Sequence, residues 1–134
     1  MRSAKLVMSL LLLVVGAVIG SNPALSHHSV AGQFDVDNVV SLTGTISEVE
    51  WINPHIYVHL DVKDEQGNVV TWRMETSPPA MMRKARLTKS MLRGNDGETV
   101  TITGLTARDG TKHLGFIYTI TYEDGHFYQL AGGR

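Results

Sequence analysis

Residues 55–63 read His-Ile-Tyr-Val-His-Leu-Asp-Val-Lys, an unbroken alternation in which Ile56, Val58, Leu60 and Val62 share one parity and His55, Tyr57, His59 and Asp61 the other. Successive side chains of a strand point to opposite faces, so this stretch is expected to be a β-strand with one dry and one wet side. Asn53-Pro54 breaks the chain ahead of it, and Asp64-Glu65-Gln66-Gly67-Asn68 supplies a hairpin turn behind it. Val70, Trp72 and Met74 then alternate with Thr71, Arg73 and Glu75 as the returning strand. A hairpin of this kind needs further strands to cover its apolar face.

The rest of the chain provides them. Residues 39–52 form a long first strand in which Val40, Leu42 and Ile46 have one parity and Val49 and Trp51 the other. With Gly44 in the middle, that switch predicts a bulge or a strong bend. After the third strand, Ser77-Pro78 reads as an N-cap followed by proline at the first helical position, opening a short helix through Met81, Met82 and Ala85. A further turn is expected near Ser90 and Leu92, ended by Gly94-Asn95-Asp96-Gly97. A fourth strand (98–105), a turn at Arg108-Asp109-Gly110, a fifth strand (112–122) and a hairpin at Asp124-Gly125 into residues 126–130 complete the chain. Three strands, a helix and two strands, with a long bent first strand, is the order of the OB-fold. The expected fold is therefore mainly β: a small five- to six-stranded OB-fold-like barrel with one short helix between strands 3 and 4. An open β-sandwich, or an open sheet carrying one helix, shares the same element order.

The N-terminus reads differently. Arg2 and Lys5 precede an apolar run over residues 6–20, and Ser21-Asn22-Pro23 leads to the small-residue pattern Ala24-Leu25-Ser26. This is the pattern of a cleaved secretory signal peptide. A retained anchor is the weaker alternative, because the run is shorter than the roughly 20 residues a spanning helix needs and ends in a helix breaker. The expected division is a signal peptide over residues 1–26, an N-terminal arm over residues 27–38 and an OB-like domain over residues 39–134. Export to the periplasm follows, with no stable membrane span once the signal is removed.

Charge and cysteine content narrow the chemistry. The chain carries 12 Lys+Arg against 13 Asp+Glu, a net charge of -1, and cleavage after Ser26 removes two bases and no acid. There is no basic stretch, so nucleic acid is not an expected partner. The absence of Cys removes disulfides, thiolate metal sites and cysteine nucleophiles. No GxSxG, HExxH or glycine-rich phosphate loop is present. Glu48 and Glu50 share a parity about 7 Å apart, a carboxylate spacing some hydrolases use, but charges on a strand edge account for them. The protein is not expected to be an enzyme.

The most informative chemistry is His27-His28 directly after the expected cleavage site. An N-terminal His offers one metal ion both its free amine and a ring nitrogen, and the amine, with a pKa of about 7.7–8.0, gives up its proton near neutral pH. A third nitrogen from another His would complete a set suited to Cu(II). His55 and His59 lie about 13 Å apart along a strand, so both cannot bind one ion, and His55 at the strand end is preferred. The expected metal ligands are His27, His28 and His55, with copper as the cofactor. Two solvated residues on an arm, and a turn histidine bonding nearby backbone, are the plainer readings of the same positions. His113 and His126 are expected on the surface. A softer set of Met74, Met81, Met82 and Met91 around Trp72 would suit Cu(I), although methionines so spaced around a short helix more often fill a core. Tyr57, His59, Arg73 and Glu75, on the wet face of strands 2 and 3, form the expected ligand or partner surface.

The segment from His27 through Thr76, its helix and the following GETVTITGLTARDG resemble an exported bacterial family designated domain of unknown function 6152. The most specific pieces are His27-His28-Ser29, Phe34-Asp35, Leu42-Thr43-Gly44-Thr45, Glu50-Trp51, Asn53-Pro54-His55, Trp72 with Glu75, and Thr103-Gly104 leading to Ala107-Arg108-Asp109-Gly110. The resemblance implies a signal peptide and a small β domain and brings no activity. Members of that family often read Arg-Arg-Gly-Trp where this chain has Arg83-Lys84-Ala85-Arg86. The expected function is a periplasmic, non-catalytic Cu(II)-binding or copper-handling protein, with copper-handling or envelope proteins as partners. The alternative is an OB-like adaptor whose Tyr57, His59, Arg73 and Glu75 face binds a protein or an envelope glycan without metal.

Overall fold

The computed structural model describes residues 29–132. Six strands and three short helices follow in the order α1 (Val30–Gln33), β1 (Phe34–Trp51), β2 (Ile56–Lys63), β3 (Val69–Thr76), α2 (Pro79–Lys84), α3 (Lys89–Arg93), β4 (Thr99–Ala107), β5 (Leu114–Tyr122) and β6 (Phe127–Gln129). The expected signal peptide and the residues His27 and His28 lie outside the described residues.

The alternation of β2 is realised as read, with Ile56, Val58 and Leu60 fully buried and Tyr57, His59 and Asp61 half-buried on the other face. The turn into β3 is built by Asp64, whose carboxylate accepts the backbone N–H of Gln66 (2.9 Å) and of Asn68 (2.8 Å), while Gly67 supplies a φ of 83°. This places Tyr57 opposite Glu75 and His59 opposite Arg73.

β1 is long because it serves two partners, β4 along its first part and β2 along its second. The irregularity that reconciles its two parities falls between Ile46 and Glu48, at Ser47, not at Gly44. The bulged carbonyl of Ser47 accepts the Arg93 guanidinium of α3 at 2.8 Å. Gly44 serves close approach instead: a Cβ there would lie 2.2 Å from the Asp61 carbonyl oxygen. Ile46, Val49 and Trp51 thereby reach the same core.

Hydrogen bonding runs β3-β2-β1-β4-β5-β6, and a parallel pairing of Arg73, Met74 and Glu75 with Leu114, Gly115 and Phe116 brings β3 against β5. The ring order β1-β2-β3-β5-β4 is that of an OB-like barrel, joined at this one short seam and open beyond it. The principal core fills the ring, from Val49, Ile56, Val58 and Leu60 to Met74, Ile102, Ile117 and Ile120. A second, smaller cluster of Phe34, Leu105 and Phe116 lies beside it.

Three of the departures from the expected boundaries have a clear local cause. β1 starts at Phe34, not Val39, because Phe34 pairs with Ala107 and packs on Phe116 at a ring separation of 5.4 Å. Residues expected to form a polar arm are thus anchored from Phe34 onward. The N-cap of the first helix after β3 is Pro78, one residue beyond the expected Ser77, whose hydroxyl donates instead to the Leu130 carbonyl at 2.7 Å. The expected turn near Ser90 is a second helix, α3, capped by the Thr88 hydroxyl, which accepts from Met91 N–H at 3.3 Å, and ended at Gly94 with φ of 67°.

Candidate functional site

The wet face of β2 and β3 carries a chain of contacts between charged and aromatic side chains. His59 Nε2 and Glu50 Oε1 are 2.5 Å apart, and Arg73 Nη2 lies 3.5 Å from Glu50 Oε2. The Arg73 guanidinium carbon sits 3.6 Å above the centre of the Tyr57 ring, a cation–π stack. Arg73 is held from behind as well, since its backbone N–H donates to the His113 carbonyl at 2.8 Å where β3 meets β5. The hydrogen bond from His59, with the positive charge of Arg73, keeps the Glu50 carboxyl below its usual value against the opposing effect of burial. Burial and then the negative charge of Glu75 push the Tyr57 phenol up.

Glu75 is the pivot of the region. Only 11% of its side chain is exposed, and Oε1 lies 3.0 Å from Nδ1 of His55, whose own side chain is 39% exposed. The carboxylate lies beside Nδ1, so Nε2 is the ring nitrogen it does not engage. Glu75 also lines two concavities, with Gln33 and Phe34 as the other shared residues. One, of about 450 Å³, is lined further by Tyr57, Arg73, Arg108, Asp109 and Leu114. The other, of about 410 Å³, contains His55, Val30, Pro78, Met81 and Phe116. Thr76 lies in this second wall, and its hydroxyl has no hydrogen-bond partner among the described residues.

The residues expected as a surface are thus brought together, but much of their bonding capacity is spent on one another. His59 is tied to Glu50, and the Tyr57 ring is covered by Arg73. His55 is the histidine that opens onto a cavity, and Val30, near the start of the described chain, lines that same cavity. The methionines divide: Met74 and Met82 are buried in the core, whereas Met81 is 59% exposed in the His55 cavity and Met91 is exposed elsewhere. Val70 is only half-buried and Trp72 packs at the core margin, so the expected inward row of β3 is complete only at Met74. His113 and His126 lie on the surface, His113 edge-on to Trp72 and His126 stacked on Tyr122 and paired with Asp124.

Sequence reading missed three contributors. Glu50 was expected as an edge charge, yet it joins β1 to β2 and β3 through His59 and Arg73. Phe34 and Arg108 come together because the Arg108 N–H donates to the Gln33 carbonyl at 2.9 Å, a contact across more than seventy residues. The alternation that places Glu50 across from Tyr57 was a usable signal once the bulge position is known. Among the described residues no cluster of three or more His, Asp or Glu side chains is placed to hold a metal ion, and no helix is long and apolar enough to cross a membrane.

The model of a family described as Family of unknown function (DUF6152) fits residues 15–116 of the chain. No curated protein and no solved structure matches the chain.

Proposed function

The chain belongs to the DUF6152 family, whose function is unknown, and we propose that it is an exported, non-catalytic copper-binding protein of the periplasm. The amine and ring of His27, with His28 and Nε2 of His55, form the proposed Cu(II) site. The observation that carries this reading is that Val30 and His55 line one cavity while the Glu75 carboxylate lies 3.0 Å from Nδ1 of the His55 ring. Metal-binding histidines commonly donate their second ring N–H to a carboxylate, which sets the tautomer and raises ligand basicity. His28 is two residues from Val30, and two extended residues reach about 7 Å, enough to enter a cavity that Val30 already lines. His59 is a poorer ligand because Glu50 engages its Nε2. Met81 adds an exposed thioether to the same cavity, a donor that suits Cu(I). Copper-handling or envelope proteins are the partners such a protein would serve.

The test is Cu(II) titration of the exported protein against a competing chelator, with its first residue established by intact mass and its spin spectrum recorded. A tight one-to-one site with a nitrogen-rich signal, lost when one extra residue precedes His27, is the expected result. Unchanged affinity in His55→Ala removes the third ligand. Weak, heterogeneous uptake by correctly processed protein removes the copper reading altogether. It would favour the alternative, an adaptor face around Tyr57, His59, Arg73 and Glu75 for a protein or envelope glycan, whose support is the 450 Å³ cleft that Tyr57, Arg73 and Glu75 border.

A further inference from the structure

The cleft of about 450 Å³ is lined, among the described residues, by both signs of charge and by apolar side chains. We propose that it binds a free α-amino acid with an apolar side chain, the carboxylate on Arg73 and Arg108 and the ammonium on Glu75. Arg73 is pre-positioned for this: stacking on Tyr57 and the long contact to Glu50 hold the guanidinium in one orientation while leaving most of its five donors unspent. Arg108 is brought to the same cleft by the turn after β4 and makes no ion pair among the described residues. Guanidinium groups are the preferred partners of carboxylates.

Glu75 supplies the opposite requirement. His55 Nδ1 lies 3.0 Å from Oε1 and the Tyr57 hydroxyl also reaches this carboxylate, whose two oxygens together can accept more donors than these, so an ammonium from the cleft can join them. Asp109 also lines the cleft, but it is exposed and accepts Thr111 N–H at 2.9 Å, so water competes there for an ammonium. Phe34 and Leu114 offer the apolar wall a hydrocarbon side chain would cover.

Other ligand classes fit less well. A simple carboxylate would meet the like charge of Glu75 with no ammonium to offset it. A simple amine would leave both guanidinium groups unanswered. A neutral sugar would want an aromatic face, and the face of Tyr57 beneath Arg73 is taken. The volume of about 450 Å³ is at the low end of small-molecule sites and ample for one amino acid.

The experiment is a two-dimensional 15N–1H NMR titration of the purified, metal-free protein with L-leucine, 4-methylpentanoate and 3-methylbutylamine, the last two lacking the amine and the carboxylate. The expected result is saturable shifts around Arg73, Arg108 and Leu114 with leucine, each analogue binding at least about tenfold more weakly. Arg108→Ala, a change at an exposed turn, is expected to weaken leucine by a similar factor while keeping the wild-type spectrum elsewhere. Absence of saturable shifts with leucine overturns the proposal. So does an analogue that binds as tightly as leucine, or unchanged leucine affinity in Arg108→Ala. Because no copper is present and neither His27 nor His28 is used, failure here is separate from failure of the copper site.

Discussion

Replacing Glu75 separates a metal-orienting carboxylate from one that only fills space. Its Oε1 lies 3.0 Å from His55 Nδ1 as an ion-pair contact, with the Glu75 side chain 11% and the His55 side chain 39% exposed. In Glu75→Gln the negative charge beside the His55 ring is lost while a side chain of similar size remains. In Glu75→Ala both the charge and the side chain that backs the ring are lost. Outer-shell carboxylates of this kind typically change metal affinity by about 10- to 100-fold, or about 1.4 to 2.8 kcal/mol. The amide is therefore expected at the lower end of that range and the alanine at the upper end. Chelator competition measures both, with thermal unfolding of the metal-free variants as a control for loss of fold. Equal Cu(II) affinity in wild type, Glu75→Gln and Glu75→Ala, all folded, would refute the idea that Glu75 orients a ligand, and with it the observation on which the copper reading rests.

Three further outcomes follow from the geometry. Gly104→Ala would put a Cβ 2.1 Å from the Phe116 carbonyl oxygen, so β4 and β5 must separate; a loss of about 1–3 kcal/mol in denaturant unfolding is expected, and an unchanged midpoint would contradict it. Tyr122 donates from a buried hydroxyl to the carbonyls of Met91 (3.0 Å) and Leu92 (2.8 Å), so Tyr122→Phe should cost about 1–3 kcal/mol by leaving the end of α3 unsatisfied, read in the same assay. The Glu50 carboxyl is depressed below 4.5 in the folded state, so the stability it contributes is present above that value and lost as pH falls through the lower, folded one. Glu50→Gln should therefore flatten the acid limb of the stability profile below about pH 4.5, and an acid limb identical to wild type would exclude this role.

How much of this was legible from the chain depends on the range of the interaction. The alternation over residues 55–63, the Asp64–Asn68 turn and the order of strands and helix were readable because the period of two and the turn chemistry are local properties. They led to the OB-like architecture, and β1 was recognised as irregular from its change of parity. Where the irregularity sits was not readable, because a bulge is chosen by what meets it: Ser47 bulges where Arg93, far along the chain, takes its carbonyl. The Ser77 hydroxyl was a plausible cap until the carbonyl of Leu130 was folded within 2.7 Å of it.

The same division governs the candidate site. From the residues alone, the wet face of β2 and β3 was known to carry Tyr57, His59, Arg73 and Glu75, and His55 was preferred to His59 for its place at a strand end. What tertiary structure decided is how those groups spend their bonds. Register sets Tyr57 opposite Glu75 and His59 opposite Arg73, the bulge brings Glu50 across to join them, and the seam between β3 and β5 fixes the backbone of Arg73. The anchoring of Phe34 on Phe116 and Ala107 then divides the surface into two cavities with Glu75 between them. Alternation tells which side of a strand a residue faces; only the closing of the ring, through contacts distant in sequence, determines which neighbours it meets there and which of its donors and acceptors stay open to a ligand.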